Sequence, residues 1–404
     1  MRCAAGTLLA ILLLWTAGSA PAAAEKASDP PPDVDSAAAA IVVDGRNGDV
    51  MFHKNADARR AIASTTKLMT ALLTLERARP NEVFTAAPYD ALPVESQINL
   101  RAGERMTVED LLEALLLESA NDAAVTLAEG IAGSREAFVR EMNERAAELG
   151  LEDTSYANPI GLDDPANYST AHDLAQLSLT LMRRPRFSRI VDLPVAELES
   201  GARPRVIDNR NLLIARHPWV TGIKTGHTIQ AGDVLVGSAR GRGGAKVITV
   251  VLGEPSEAAR DEDTLELLRW GLGQFHRVRA VDAGRTLERA DIEYRDERAA
   301  LVPRRSAVVL VRDGERIGRR VRAPDEVEGP LPAGARVGSV SVLVDGRSVR
   351  RIALVTATDV PDAGTLRVLT SVVGVPLTLL AAAAILLAAA VAVVLIRARL
   401  RLVR

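Results

Sequence analysis

The chemistry of this chain shows in its few lysines. Of 50 basic residues only five are Lys, and two of these stand in Ser64-Thr65-Thr66-Lys67 and Lys224-Thr225-Gly226. Arg holds its proton in proteins, whereas a buried ammonium can be brought to lose one, so a Lys three residues after a Ser suggests a general base beside a nucleophile. Between the two lies Ser119-Ala120-Asn121. The Ser119 hydroxyl can relay a proton between the Lys side chains and a leaving amine, and the Asn121 amide can pair with a peptide group. In Lys224-Thr225-Gly226, read as a strand edge, Gly226 lets substrate approach the backbone and Thr225 offers a hydroxyl to a carboxylate. Each motif alone has an ordinary explanation: a helix cap at Ser64, Ser119 or Asn121, and a tight turn after a strand at Lys224. Their occurrence together and in this order favours a serine acyl-transfer site.

The base must first be made neutral. Positions three apart on a helix face one way, with Cβ atoms roughly 5–6 Å apart, so Lys67 can reach the Ser64 hydroxyl. Neutralising a Lys of ordinary pKa at pH 7 costs about 4.6 kcal/mol. Burial and a second ammonium both lower that cost, and Lys224 is the natural second.

The elements around these residues read as α/β. Ile41-Val42-Val43 and Val50-Met51-Phe52 flank Arg46-Asn47-Gly48-Asp49, an Asn-Gly hairpin signal. Leu68, Leu72, Leu73 and Leu75 fit a helix whose first turn carries Ser64 and Lys67. Thr107-Val108-Glu109-Asp110 resembles a capping box opening a helix that breaks near Ser119. Helices are expected over 123–132, 135–149 and 170–182, with Asn158-Pro159-Ile160-Gly161-Leu162 a loop. Strands over 234–239 and 247–252 and a helix over 264–272 complete an α/β sandwich on an antiparallel sheet. Short strands then follow at 307–312, 316–321, 337–344 and 348–355, a small all-β domain. Its many Arg residues could meet an anionic polymer, but acids are interleaved along the sequence, which favours a solvated strand face.

The ends speak to location. Arg2, the apolar run from Leu8 to Trp15 and Ala22-Ala23-Ala24 before Glu25 have the pattern of a secretory signal over 1–24. A linker is expected over 25–36, a catalytic domain over 37–276 and the β-domain over 277–362. Cys3, the only Cys, would leave with the signal, so the mature chain has neither a disulfide nor a thiolate mechanism. Val372 to Ile396 holds no charged residue, and a transmembrane helix is expected over 370–396. The basic tail 397–404 places the C-terminus in the cytoplasm and the rest outside. The formal net charge of -2 gives nucleic-acid binding no electrostatic footprint. No metal site and no cofactor are expected, and nothing in the sequence fixes an oligomeric state.

Several stretches resemble the low-molecular-mass penicillin-binding protein family of D-alanyl-D-alanine carboxypeptidases, serine peptidases of the S11 type. They are Ala63-Ser64-Thr65-Thr66-Lys67-Leu68-Met69-Thr70, Glu118-Ser119-Ala120-Asn121-Asp122-Ala123, Asn158 to Leu162, Tyr168-Ser169-Thr170-Ala171, and Gly222-Ile223-Lys224-Thr225-Gly226-His227-Thr228. The resemblance implies a penicillin-binding/β-lactamase-like transpeptidase fold, an antiparallel sheet with a helical subdomain, followed by a small all-β domain and a C-terminal membrane anchor. It implies that Ser64 attacks the bond between two terminal D-Ala residues of a peptidoglycan stem peptide, and that β-lactams acylate the same serine. Lys67 and Ser119 would share the catalysis. Asn121, Lys224, Thr225, Gly226, His227 and Arg210 would bind substrate, with the backbone N–H groups of Ser64 and His227 as oxyanion hole and Arg210 near the substrate carboxylate. The His227 ring is given no part. Ile160 stands where relatives often have His and is assigned no role, and the C-terminal helix is apolar all round where many relatives carry an amphipathic anchor. Two rivals remain: a class A-like β-lactamase, which needs a Glu to activate water that the stretch 158–224 does not convincingly supply, and a catalytically silent penicillin-binding wall scaffold or sensor.

Overall fold

A computed structural model describes residues 29–362, 364, 368 and 377–401. The chain divides into Met1–Pro30 and Pro31–Arg404. Of the first, only Asp29 and Pro30 are described, and the signal expected over 1–24 lies outside the described residues.

Five strands make the central sheet: β1 (Ala39–Asp44), β2 (Val50–Lys54), β3 (Val220–Thr228), β4 (Gly232–Arg240) and β5 (Lys246–Glu254). They are antiparallel in the order β2-β1-β5-β4-β3. That order leaves β3 at an edge, so the strand bearing Lys224-Thr225-Gly226 has one side free of strand partners. Both faces of the sheet are covered, which is why β1, β4 and β5 read as apolar runs rather than alternations. Ala39, Ile41 and Val43 point into a large core under the helices, whereas Ala40 and Val42 join a second core beneath a helix over 257–273.

On the first face lie α1 (Lys67–Arg77), α2 (Val108–Glu113), α3 (Asn121–Ala132), α4 (Arg135–Glu148), α5 (Ala171–Met182) and α6 (Pro185–Val191), whereas the single turn α7 (Leu213–Arg216) buries Leu213 and Ile214 in the second core. Thr107, Ser134 and Thr170 each accept an N–H from the first turn of the helix they precede. α1 drives Leu68, Met69, Leu72 and Leu73 into the core, which fixes the helix that carries Lys67. On the second face α8 (Glu257–Gly273) starts at Glu257 rather than at Thr264, because Ser256 caps it and its polar first turns are internally paired. Arg260, buried there, is matched by Asp233, Glu257 and Asp261. Short two-strand ladders that no sequence pattern announced tie the loops, among them Val83–Thr85 with Arg105–Thr107 and Val195–Leu198 with Arg205–Asp208.

Beyond α8 the chain is all β: β6 (Phe275–Val281), β7 (Glu288–Ile292), β8 (Arg298–Pro303), β9 (Ala307–Arg312), β10 (Ile317–Arg322), β11 (Glu326–Val327), β12 (Arg336–Val344) and β13 (Arg347–Thr356). Six strands pair in the order β10-β12-β13-β8-β7-β11, and β6 pairs with β9. Val309 and Val311 meet Val340, Val342, Ile352 and Leu354 in a core of their own. Arg46, in the β1–β2 turn, joins the two parts: it donates to Glu315 at 2.9 Å and lies 4.6 Å from the centroid of the Phe275 ring.

The last described element is α9 (Leu377–Arg401). Residues 370–376, where the apolar span was expected to start, lie outside the described residues. Thr378–Arg397 has a mean hydropathy of 3.1 and no buried residue, and 20 residues rise about 30 Å, the thickness of a hydrocarbon core.

Because Leu72 is wholly buried in the helix that carries the site, Leu72→Ala should lower stability by about 2–5 kcal/mol. Urea unfolding followed by circular dichroism measures this, and an unchanged midpoint would contradict the packing described.

Candidate active site

Three segments distant in sequence come together around the turn that carries Ser64 and around α1, which follows it. The first is a 3₁₀ turn over Ala63–Thr66 that runs straight into α1 at Lys67. Ser64 therefore precedes the α-helix rather than sharing its first turn with Lys67, and the tighter turn nearly eclipses side chains three apart. Lys67 Nζ donates to Ser64 Oγ at 2.9 Å and to the Ile160 carbonyl at 2.6 Å. The Asn158 side chain builds the loop that delivers this carbonyl, its Oδ1 accepting from the N–H groups of Ile160, Gly161 and Leu162. Thr70 Oγ1 donates to the Pro159 carbonyl at 2.7 Å and clips the loop to α1. Gly161 has φ +93°, and a Cβ there would lie 2.0 Å from the Ala63 carbonyl oxygen, so loop and nucleophile turn touch backbone to backbone. Sequence reasoning gave Ile160 no role, and its side chain has none at the site. Its carbonyl does, an atom that every residue type carries.

The second segment leaves α2 as a π-helical turn, Ala114–Glu118, and ends at Ser119 in the left-handed region (φ 63°, ψ 28°). Such turns reorient a helix locally and are frequent at functional sites. Ser119 and Asn121 are each 6% exposed. Asn121 Nδ2 donates to Glu95 at 2.7 Å, and the Tyr89 hydroxyl donates to the same carboxylate oxygen. Burial pushes the Glu95 carboxyl up, but those two hydrogen bonds, the Leu92 N–H and the charge of Lys67 hold it below the usual range. Asp122 accepts from the N–H groups of Ile98 and Leu100 and so fastens the loop that carries Glu95. Neither Tyr89 nor Glu95 was found from the sequence, because the stretch between Thr85 and Arg105 has no periodicity and no motif.

The third segment is β3, packed on the Ala63–Thr66 turn. Lys224 and Thr225 are buried, and Lys224 Nζ donates to the Thr225 carbonyl at 2.8 Å. A Cβ at Gly226 would sit 2.8 Å from the Ser64 nitrogen. The glycine is thus needed first for strand and serine turn to pack, before any substrate arrives. The His227 ring points outward, its side chain 64% exposed, with Nδ1 3.2 Å from Asp233. Arg210 docks on the π-helical turn: its N–H donates to the Leu117 carbonyl at 3.0 Å, and Nε and Nη2 both donate to Glu118.

Two ammonium groups are buried within this arrangement, Lys67 at 0% and Lys224 at 1% exposure. Burial and then the charge of Lys224 drive the Lys67 pKa well below its ordinary value, against the opposing pull of Glu95 and Asp122. Burial, with Arg210 and Arg260, brings Lys224 down to about 7, while Glu118 works the other way. The arrangement favours a neutral amine at Lys67 and keeps an available cation at Lys224. A cavity of about 510 Å³ lies elsewhere, between α5, α6 and the Thr221 and Ser238 hydroxyls. It lacks a nucleophile–base pair, so the chemistry rather than the volume marks the site.

Gly161→Ala should push the loop off the Ala63 carbonyl and remove the Ile160 carbonyl from Lys67. We expect the reaction of Ser64 with a serine-directed fluorophosphonate to slow by roughly tenfold or more. A rate equal to that of the unmutated chain would refute the close contact.

The family model of D-alanyl-D-alanine carboxypeptidases, peptidase S11, matches residues 24–256. The D-alanyl-D-alanine carboxypeptidase DacF of Bacillus subtilis is 28% identical, over 83% of this chain and 88% of its own. Among solved structures, penicillin-binding protein 5 from Haemophilus influenzae superposes with a TM-score of 0.59 at 28% identity, covering 83% of this chain and all of that one. The Streptomyces K15 DD-transpeptidase does so with a TM-score of 0.56 at 30% identity, over 58% of this chain and 97% of its own. A serine–lysine pair set between a π-helical turn and a sheet edge, on a fold shared with these proteins, places the chain in the D-alanyl-D-alanine carboxypeptidase family.

Proposed function

We propose that Ser64 is the nucleophile of a D-Ala-D-Ala carboxypeptidase that trims peptidoglycan stem peptides, and that β-lactams acylate it. The observation that carries this reading is the wholly buried Lys67 amine 2.9 Å from Ser64 Oγ. With Lys67 neutral, its lone pair takes the hydroxyl proton as Oγ attacks the carbonyl of the penultimate D-Ala. The oxyanion forms against the N–H groups of Ser64 and His227, each worth about 2.7–4 kcal/mol in comparable sites. Collapse breaks the C–N bond, and the leaving amine receives the proton from Lys67 by way of Ser119. Water then opens the Ser64 ester and releases the shortened peptide.

Substrate binding follows from the groups that remain. The terminal carboxylate meets the Lys224 ammonium, the Thr225 hydroxyl and the Arg210 guanidinium. Asn121, its Nδ2 committed to Glu95, keeps Oδ1 as acceptor for a substrate N–H. The free side of β3 at Gly226 and His227 lets the peptide lie along the strand. In a β-lactam the broken amide stays tethered to the acyl group, so the amine cannot leave and the ester persists. The domains read over 37–276 and 277–362 and a cleaved signal before them remain part of this proposal. So does an orientation with α9 across the membrane, the catalytic part outside and the C-terminus in the cytoplasm.

The β-lactamase reading has less support. The glutamates between Asn158 and Lys224, Glu197 and Glu199, are both exposed on or beside the Val195–Leu198 strand. Glu95, from the other side, is already engaged by Tyr89 and Asn121.

The full chain in detergent should release D-Ala from a peptide ending in D-Ala-D-Ala. Ser64→Ala should release none, and Lys67→Arg should fold but fail to acylate, since Arg keeps its proton. Release by the Ser64→Ala chain would end the proposal, and rapid hydrolysis of a chromogenic cephalosporin would move it to a β-lactamase.

The pH profile is a separate test. kcat/KM should rise with pH as Lys67 loses its proton and fall as Lys224 loses its own near pH 7 in the free protein. Lys224→Arg should retain some activity and lose the falling limb. A falling limb that persists in that variant would remove Lys224 from carboxylate binding.

A further inference from the structure

The β-domain sorts its charges in a way the sequence order hides. β10, β12 and β13 hold seven arginines, Arg319, Arg320, Arg322, Arg336, Arg347, Arg350 and Arg351, and not one acid. Acids near them along the chain fall in turns instead, Asp313 and Glu315 before β10 and Asp345 between β12 and β13. Register divides the arginines further. Arg319 and Arg350 flank the buried Val342 and turn inward, donating to the carbonyls of Ala280 and Val308. Arg320 and Arg351 flank Ser341 on the opposite face, and Arg322 flanks Ser339 in the next row of that face. Arg304, whose N–H donates to the Ala353 carbonyl, ends the same row as Arg322.

All four outward arginines are exposed, and none has an ion pair among the described residues. Arg320 and Arg351 stand two strand spacings apart, about 9.5 Å, with small hydroxyl side chains between them. The result is a cationic, hydroxyl-floored sheet face, complementary in charge to a surface of phosphates.

We propose that this face binds the anionic phospholipid headgroups of the membrane that α9 enters. The proposal rests on the reading of α9 as a membrane span, and the linker 363–376 makes lipid the occupant within permanent reach. Those residues extend at most about 50 Å, so the β-domain is held close to the bilayer surface at a high effective concentration. Arg is suited to the contact because its planar fork takes two phosphate oxygens at once.

The test uses the full chain in lipid nanodiscs of phosphatidylcholine, with or without phosphatidylglycerol. The arginine reagent phenylglyoxal is applied and labelled residues are read by mass spectrometry. Labelling of Arg320, Arg322 and Arg351 should fall by about threefold or more in the anionic discs and recover in high salt, while Arg216 on α7 is unchanged. Arg320→Gln/Arg351→Gln should lose the protection of Arg322 and keep penicillin acylation intact, which shows the chain folded. Equal labelling in both discs overturns the proposal. Protection that instead follows added soluble polyglycerol phosphate in neutral discs overturns it in favour of a wall polymer. A chain that does not remain with the discs at all overturns the reading of α9 rather than that of the arginine face.

Discussion

Everything at this site depends on keeping amino groups out of water. An ammonium is strongly hydrated, and burying two of them near one another is electrostatically uphill. The structure accepts that cost at Lys67 and Lys224, and the return is an amine that can act as a base where an ordinary Lys could not. This explains why the chain has Lys at both places when it uses Arg nearly everywhere else. A guanidinium could fill either space with charge but could not give up a proton. Glu95, Asp122 and Glu118 limit the repulsion from outside without pairing directly with either amine. A direct carboxylate partner would restore the proton that the mechanism must remove.

The scaffold meets this constraint by bringing backbone against backbone. Gly161 and Gly226 are the two points where a loop and a strand press on the turn that carries Ser64, and at each a side chain would collide with main-chain atoms. Water is thereby excluded from the far side of Lys67. The π-helical turn does the complementary job. By adding a wide turn before Ser119 it ends α2 without a long loop, and Ala120 donates to the Ala114 carbonyl across it. α3 can then restart at Asn121 with Ser119 still buried. Arg210, clamped on Glu118, belongs to the same turn, so the group proposed to read the substrate carboxylate and the one proposed to pass the proton share a single support.

Much of this was legible in the sequence, for reasons that also mark where legibility stops. Residue types suited to rare chemistry stand out, so Ser64, Lys67, Ser119, Asn121 and Lys224, the residues given roles in the proposed mechanism, could be picked by type and spacing before any fold was known. Strands covered on both faces gave apolar runs, and the cap at Thr107 was legible, although its own N–H goes to Ser200 Oγ and the Asp110 carboxylate accepts from Ser200 rather than from Thr107. What escaped were contributions from groups that all residues share, or that only a fold brings near. The Ile160 carbonyl is backbone, Glu95 and Tyr89 sit in an aperiodic loop, and the first turns of α8 are polar because their charges pair with each other rather than with solvent. Averaging charge along the β-domain likewise concealed what strand register separates.

The same arrangement bears on what distinguishes this family from its neighbours in fold. Acylation needs a nucleophile, a neutral base and an oxyanion hole, and a transpeptidase and a carboxypeptidase need them equally. They part at the ester, where either an amine or water must approach a carbonyl already held against β3. A dedicated hydrolase of β-lactams would add a carboxylate to activate that water. Here Glu95, one of the two carboxylates whose charge reaches Lys67, is taken up in orienting Asn121, and Asp122 accepts from the N–H groups of Ile98 and Leu100. In the mechanism proposed above, deacylation would therefore fall back on the base that made the ester, Lys67, acting on whatever nucleophile can enter beside the leaving group. A departed D-Ala vacates that position, whereas a tethered β-lactam amine still occupies it. On that proposal, trimming of peptides and long-lived inhibition by β-lactams would be two consequences of a single base with a single line of approach.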